Sequence, residues 1–148
     1  MRLTQFSDYG LRIVIMLGSA PDRLVSVKEV AATYGISYHH LTKVANLLTA
    51  LGVVEAVRGR NGGLRLAREA ADINVGWLVR RTEADLTLVE CFDDETNSCP
   101  ISPECRLRHA LEHALRAFLE VLDGYTVADL VRSSRQRERL VQLWRASA

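Results

Sequence analysis

Apolar residues recur at helical spacing along most of this chain, and the breaks between the runs carry cap and turn signals. From Thr4 to Gly18, the residues Phe6, Tyr9, Leu11, Ile13, Val14 and Leu17 keep close to a helical period and predict a helix. Thr4 or Ser7 can cap it, and Asp8 then falls in its first turn, where a carboxylate suits the dipole. Ala20-Pro21-Asp22 is a turn. Ser26-Val27-Lys28-Glu29 has the spacing of a capping box and opens a short helix through Tyr34, ended by Gly35. Ser37 is expected to cap a second helix whose Leu41, Val44, Leu47, Leu48 and Leu51 form one stripe, with Gly52 closing it. Short helix, glycine turn and longer helix make a helix-turn-helix.

The pattern then changes period. Val53 to Val57 reads as a strand, Arg58-Gly59-Arg60-Asn61-Gly62-Gly63 as a turn, and Leu64-Arg65-Leu66 as the return strand. The expected fold is therefore mostly α: a winged helix-turn-helix head with a small two-stranded wing, plus a long C-terminal helix. Asp72 to Thr82 predicts another short helix packed on the head. The longest periodic segment is Arg106 to Asp123, about 27 Å of helix, stopped by Gly124. Its apolar residues occupy an arc of about 140°. That is wide enough to face both its own head and the same helix of a second copy. Leu107, Leu111, Ala114, Leu115, Phe118 and Leu122 are thus expected at a homodimer interface, the alternative being a core helix within one chain. Tyr125 to Val131 is a final apolar turn or helix. The division expected is a DNA-binding head at 1–82, a cysteine loop at 83–105, a dimerisation helix and final turn at 106–131, and a polar tail at 132–148. That tail opens with Ser133 to Arg139 and is read as solvated, not as a nucleic-acid arm.

Between head and long helix the periodicity lapses. Cys91, Cys99 and Cys105, all the cysteines of the chain, lie here in a C-x7-C-x5-C spacing among Asp93, Asp94, Asn97, Ser98, Pro100 and Pro103. Such a composition makes a loop, and a loop of this length is usually functional, because it buries little to offset its ordering entropy. Composition is ordinary for a globular domain, with 48% hydrophobic and 25% charged residues. No early apolar run resembles a signal peptide, since Arg12 interrupts it, and no stretch reaches membrane-span length. A cytoplasmic protein with no membrane partner is expected. In a reducing compartment, three clustered thiols point to metal or redox chemistry more than to disulfides. The net charge of +1 hides an asymmetry: residues 1–65 hold eight Lys/Arg against four acids, and the remainder eleven against fourteen. A basic head on an acidic body points to a polyanion partner.

Double-stranded DNA fits that head. Ser37, Tyr38, His39, His40, Thr42 and Lys43 are candidate base or phosphate contacts of a major-groove helix. Arg58, Arg60 and Asn61 are candidates for the minor groove or its phosphates; the competing reading is an ordinary solvated hairpin. Three thiolates can hold zinc or an iron–sulfur cluster. Zinc on Cys99, Cys105, His109 and His113 would leave Cys91 idle, and no C-x2-C pair is present. A cluster can use all three cysteines, with one iron left for another ligand. Cys–His hydrolysis lacks support, no cysteine being expected at a helix N-terminus beside a histidine, and no nucleotide loop or nucleophile elbow occurs. No catalytic residue is expected. A cluster carrier that does not bind DNA would need the cysteines but not the arginine–glycine wing.

Taken together, MRLTQFSDYGLR, YGIS-x3-L-x-KV, VRGRNGG, the cysteine loop and DGYTVADLV resemble the Rrf-type winged-helix repressors, and among them the nitric-oxide-sensing branch. The resemblance runs from Met1 to about Val131. It implies a homodimer on a palindromic operator, nitric oxide as signal, and a cluster between head and dimerisation helix, most readily [4Fe-4S]. Cys91, Cys99 and Cys105 would be its ligands, and Asp8 in SDYGLR matches a carboxylate offered from the other subunit. A [2Fe-2S] cluster occurs in relatives that place a histidine three residues after the third cysteine, where this chain has Arg108 with His109 beside it. Iron-responsive repressors of the family share the cysteine spacing but lack the aspartate.

Overall fold

The computed structural model describes residues 2–147. Its elements in order are α1 (Gln5–Ser19), α2 (Val27–Tyr34), α3 (Tyr38–Ala50), β1 (Val54–Val57), β2 (Gly63–Leu66), α4 (Val75–Thr82), α5 (Arg106–Asp123), α6 (Val127–Leu130) and α7 (Ser134–Ser147). Local chemistry sets most of these boundaries. Thr4 accepts from the Ser7 N–H at 3.4 Å, and Ser26 from the Glu29 N–H at 3.1 Å, so each satisfies one of the orphan donors of its helix. The box at Ser26 is only half made, because the Glu29 carboxylate takes Arg23 instead, at 2.6 and 3.0 Å. At the end of α3, Gly52 adopts φ 67°, which lets the N–H groups of Gly52 and Val53 reach the carbonyls of Thr49 and Leu48 at 3.0 and 2.9 Å. This pair of hydrogen bonds turns the chain sharply into β1. Ser37 stands at the N-cap of α3 but makes no capping bond with its side chain, contrary to expectation.

The core forms where α1, α2, α3 and α4 meet. Ile13, Met16, Leu17, Leu41, Leu48 and Leu78 are almost fully buried, each such side chain stabilising by about 1.5–3 kcal/mol relative to exposure. A buried hydroxyl pair, Ser7 with Thr82 at 2.7 Å, fastens α1 to α4 without leaving a polar atom unpaired. The wing is antiparallel, Val54 opposite Leu66 and Val57 opposite Gly63. It is wider than the sequence suggests, for Val25 pairs with Leu64 through two backbone bonds of 3.0 and 2.8 Å.

Three expectations change. The fourth helix begins after Asn74, whose side chain accepts from the Trp77 N–H at 2.8 Å; residues 70–72 form a separate 3-10 turn. Where a solvated tail was expected over 132–148, residues 134–147 form the helix α7. Ser133 caps α7, and Leu140, Val141 and Trp144, spaced to share one helix edge, cover α1 and α2, leaving Trp144 8% exposed. Its polar opening residues, Arg135 and Arg139 among them, do stay exposed. Finally, the residue of α5 that is buried is Leu119, which lies beside the stripe expected to do the packing.

Candidate functional site

Burying Leu41, Val44, Ala45 and Leu48 forces the opposite face of α3 outward. Tyr38, His39, His40 and Lys43 are exposed there, with Ser37 just ahead of the helix. Thr42 is half-buried and spends its hydroxyl on the Tyr38 carbonyl at 2.8 Å. At the wing tip Arg58, Arg60 and Asn61 are exposed, and among the described residues neither arginine has an acidic partner. Arg65, farther down the same hairpin, is matched by Glu55 at 2.9 Å, and the bond from that guanidinium holds the Glu55 carboxyl below its ordinary range.

Asp8 lies in the first turn of α1, where Arg12 grips it with two bonds of 2.9 and 2.8 Å. The grip raises the affinity of Arg12 for its proton, and the guanidinium also stands over the Tyr34 ring at 5.4 Å. Burial pushes the Tyr34 phenol up, while Trp144 of α7 acts the other way. Thus the candidate ligand Asp8 is tied to the last residue of α2, immediately before the turn into α3. Sequence reading missed this partner, although the i,i+4 spacing of Asp8 and Arg12 was visible.

The three cysteines are unbridged and half-buried. Cys91 sits in a 3-10 turn at 90–92, the Cys99 N–H donates to Asn97 Oδ1 at 3.1 Å, and Cys105 is the N-cap residue of α5. Among the described residues no three His, Cys, Asp or Glu side chains are gathered tightly enough to grip a metal ion. Neither the cysteine set with Asp8 nor the zinc set with His109 and His113 is brought together in a single chain. Cys105 does stand at a helix N-terminus with His109 one turn on, contrary to expectation, but that histidine is 73% exposed and turned to Glu112 at 3.7 Å.

Within 83–105 only Ser102 is buried, so the segment gives almost nothing to the core. Arg108 holds it instead, reaching Asp94 at 3.2 Å, Ser102 at 3.2 Å and Glu112 at 3.1 Å. A bound group fits this arrangement. Three thiols without disulfides, in a segment with little ordering energy of its own and next to a helix N-terminus, suit an anionic thiolate-held centre.

The α5 residues expected at a dimer interface divide. Leu111, Leu115, Phe118 and Leu122 are half-buried, and Leu115 and Phe118 share a hollow with Leu86 and Leu88 of the same chain. Leu107 and Ala114 are exposed, as is Val121, with Leu107 at 64% and Val121 at 63%. One edge of the stripe faces its own head and the other is bare. No helix among the described residues is long and apolar enough to cross a membrane.

The model of the Rrf2 family, described as iron-dependent transcriptional regulator, matches residues 3–133. The chain is 50% identical over 143 residues to the HTH-type transcriptional regulator NsrR of Shouchella clausii, covering 96% of each protein. To the NsrR of Bacillus subtilis it is 48% identical over 144 residues, covering 97% of this chain and 99% of that one. Among solved structures, the global cysteine regulator CymR of B. subtilis superposes with a TM-score of 0.72 at 28% identity, covering 89% of this chain and 97% of that one. The IscR of T. potens does so with 0.69 at 28% identity, covering 89% and 87%.

Proposed function

The chain belongs to the Rrf2 family of transcriptional regulators, and we propose that it is a homodimeric repressor that holds an iron–sulfur cluster and leaves a palindromic operator in response to nitric oxide. The observation that carries this reading is a splice. The three-thiol segment runs directly into α5, with Cys105 as its N-cap, and α5 keeps a bare apolar edge. Whatever the thiols hold acts at the root of the helix that a second copy would cover.

Cys91, Cys99 and Cys105 would hold the cluster, and Asp8 of the second copy would supply the remaining, non-cysteine position. Three thiolates and one carboxylate match a [4Fe-4S] centre better than a [2Fe-2S] one. When bound, the cluster supplies iron that nitric oxide can attack. The protein's part is mechanical. Asp8 belongs to α1, which packs on α3 and α4, so the hold on Asp8 sets the frame that carries the recognition helix. Tyr38, His39, His40 and Lys43 would then enter the major groove, with Ser37 near a phosphate and Arg58, Arg60 and Asn61 in the flanking minor groove. A 100-fold loss of operator affinity needs only about 2.7 kcal/mol of coupling, which two hydrogen-bonded contacts can supply.

The test is anaerobic purification with iron and sulfide analysis, then nitric oxide titration with operator binding followed in parallel. Four irons per chain, bleaching and DNA release support the reading, and Asp8→Ala should keep the fold while uncoupling release from bleaching. The description of the family as iron-dependent favours a second reading, in which loss of iron is the signal. Release by an iron chelator with indifference to nitric oxide would select it.

A further inference from the structure

Between β2, the end of α1 and the two C-terminal helices lies a cavity of about 470 Å³ that plays no part in the reading above. Leu17, Gly18, Leu66, Ala128 and Val131 line it; all are buried or half-buried, and together they make an apolar floor. Four arginines converge on it from three elements distant in sequence: Arg65 and Arg68 after the wing turn, Arg132 beyond α6, and Arg137 in α7. Glu69 is the one acid on the lining. Arg65 is matched by Glu55, and Arg132 reaches Asp129 at 3.3 Å while remaining 82% exposed. Arg68 stands over the Trp77 ring at 5.3 Å, and among the described residues neither it nor Arg137 has an acidic partner.

We propose that this cavity is a binding site for a small organic anion, a carboxylate or phosphate ester carrying an apolar body. Its volume lies in the range of small-molecule pockets, which combine apolar walls with a few charged groups. Guanidinium forks match the planar oxygens of a carboxylate or the oxygens of a phosphate, and the floor would take the hydrocarbon. A DNA backbone would use the arginines but leave the floor uncovered, so a small ligand accounts for more of the lining. Such a ligand touches the wing and the segment that follows α5 at once. It would bias the wing by a route that bypasses the cysteines, giving the regulator a second input.

The probes are 4-phenylbutyrate, its neutral amide and inorganic phosphate, added at constant ionic strength to the full chain without DNA. Backbone amide shifts of Gly18, Leu66, Ala128 and Arg137 are followed by NMR. The expected result is saturable movement of these amides by phenylbutyrate, at least about tenfold tighter than by the amide or by phosphate, a margin of about 1.4 kcal/mol. Arg137→Gln, which breaks no ion pair, should weaken it severalfold, and adding Arg68→Gln should weaken it further. Ala128→Leu, filling the floor, should abolish it with the remaining spectrum intact. No saturable movement, equal binding of the amide or of phosphate, or an Arg137→Gln variant that binds as wild type would each overturn the proposal.

Discussion

Removing the two wing-tip arginines should change the salt dependence of operator binding by an amount that can be worked out beforehand. Arg58 and Arg60 are exposed and, among the described residues, unmatched, whereas Arg65 of the same hairpin already has Glu55 at 2.9 Å. Each phosphate neutralised by a free cation releases counterions and adds about 0.9 to the slope of log affinity against log salt. Two such arginines per head, four in a dimer, therefore account for a slope of about 3.6. Salt rising from about 50 to 200 mM is about 0.6 in the logarithm, so wild type should lose roughly 150-fold more affinity over that range than Arg58→Ala/Arg60→Ala. Fluorescence anisotropy of a labelled operator duplex, titrated at four KCl concentrations, reads both slopes. Arg65→Ala is the internal control and should shift the slope far less, because its charge is already neutralised. An unchanged slope in the double variant would refute the wing assignment. An Arg65→Ala effect as large as that of Arg58 or Arg60 would refute the argument from pairing.

Other consequences follow from the packing. A Cβ at Gly76 would fall on the Asp123 carboxylate and within 2.8 Å of its backbone nitrogen, at the knot where Asn74 and Arg80 bind the end of α5. Gly76→Ala should therefore destabilise by about 1–2 kcal/mol, overpacking outweighing the gain in helix propensity, and lower the melting temperature by roughly 2–4 °C per kcal/mol. Arg80 holds the Asp123 carboxyl below its ordinary value near 3.8, and the Thr126 hydroxyl does the same for Asp129. With folded values below unfolded ones, that stability is complete above the unfolded value and is lost as pH falls through the folded one. The urea midpoint should thus hold from pH 7 to about 5 and drop below about 4, with Arg80→Gln blunting the drop. Trp144→Ala removes a side chain 8% exposed, worth up to about 3–5 kcal/mol, but α7 rests on α1 and α2 through one edge. The loss should appear as faster hydrogen exchange in α7 with α3 still protected. If the proposed cluster is held there, Cys99→Ser should lose iron yet leave the unfolding free energy of the metal-free protein within about 0.5 kcal/mol, because Cys99 makes no side-chain bond among the described residues.

What the sequence determined by itself is whatever short-range chemistry controls. Thr4, Ser26, Gly35 and Gly52 set helix ends through bonds made within a few residues, so the helix-turn-helix and the wing could be read from the order of residues alone. The 18 residues of α5 emerged with the expected limits because its period is long and unbroken. Tertiary structure decided matters that depend on distant partners. Residues 134–147 look polar, and only the surface offered by α1 and α2 gives Leu140, Val141 and Trp144 something to cover. Which edge of α5 meets its own head, with Leu119 buried there and Asp123 bound by Asn74 and Arg80, could not be read from the apolar stripe alone. The cysteines were legible as residue types able to bind metal, and Asp8 only through the family resemblance, but a single chain gives Asp8 to Arg12 and keeps the thiols apart. With only Ser102 buried in 83–105, the chain has too little apolar contact there to draw the thiols together by itself.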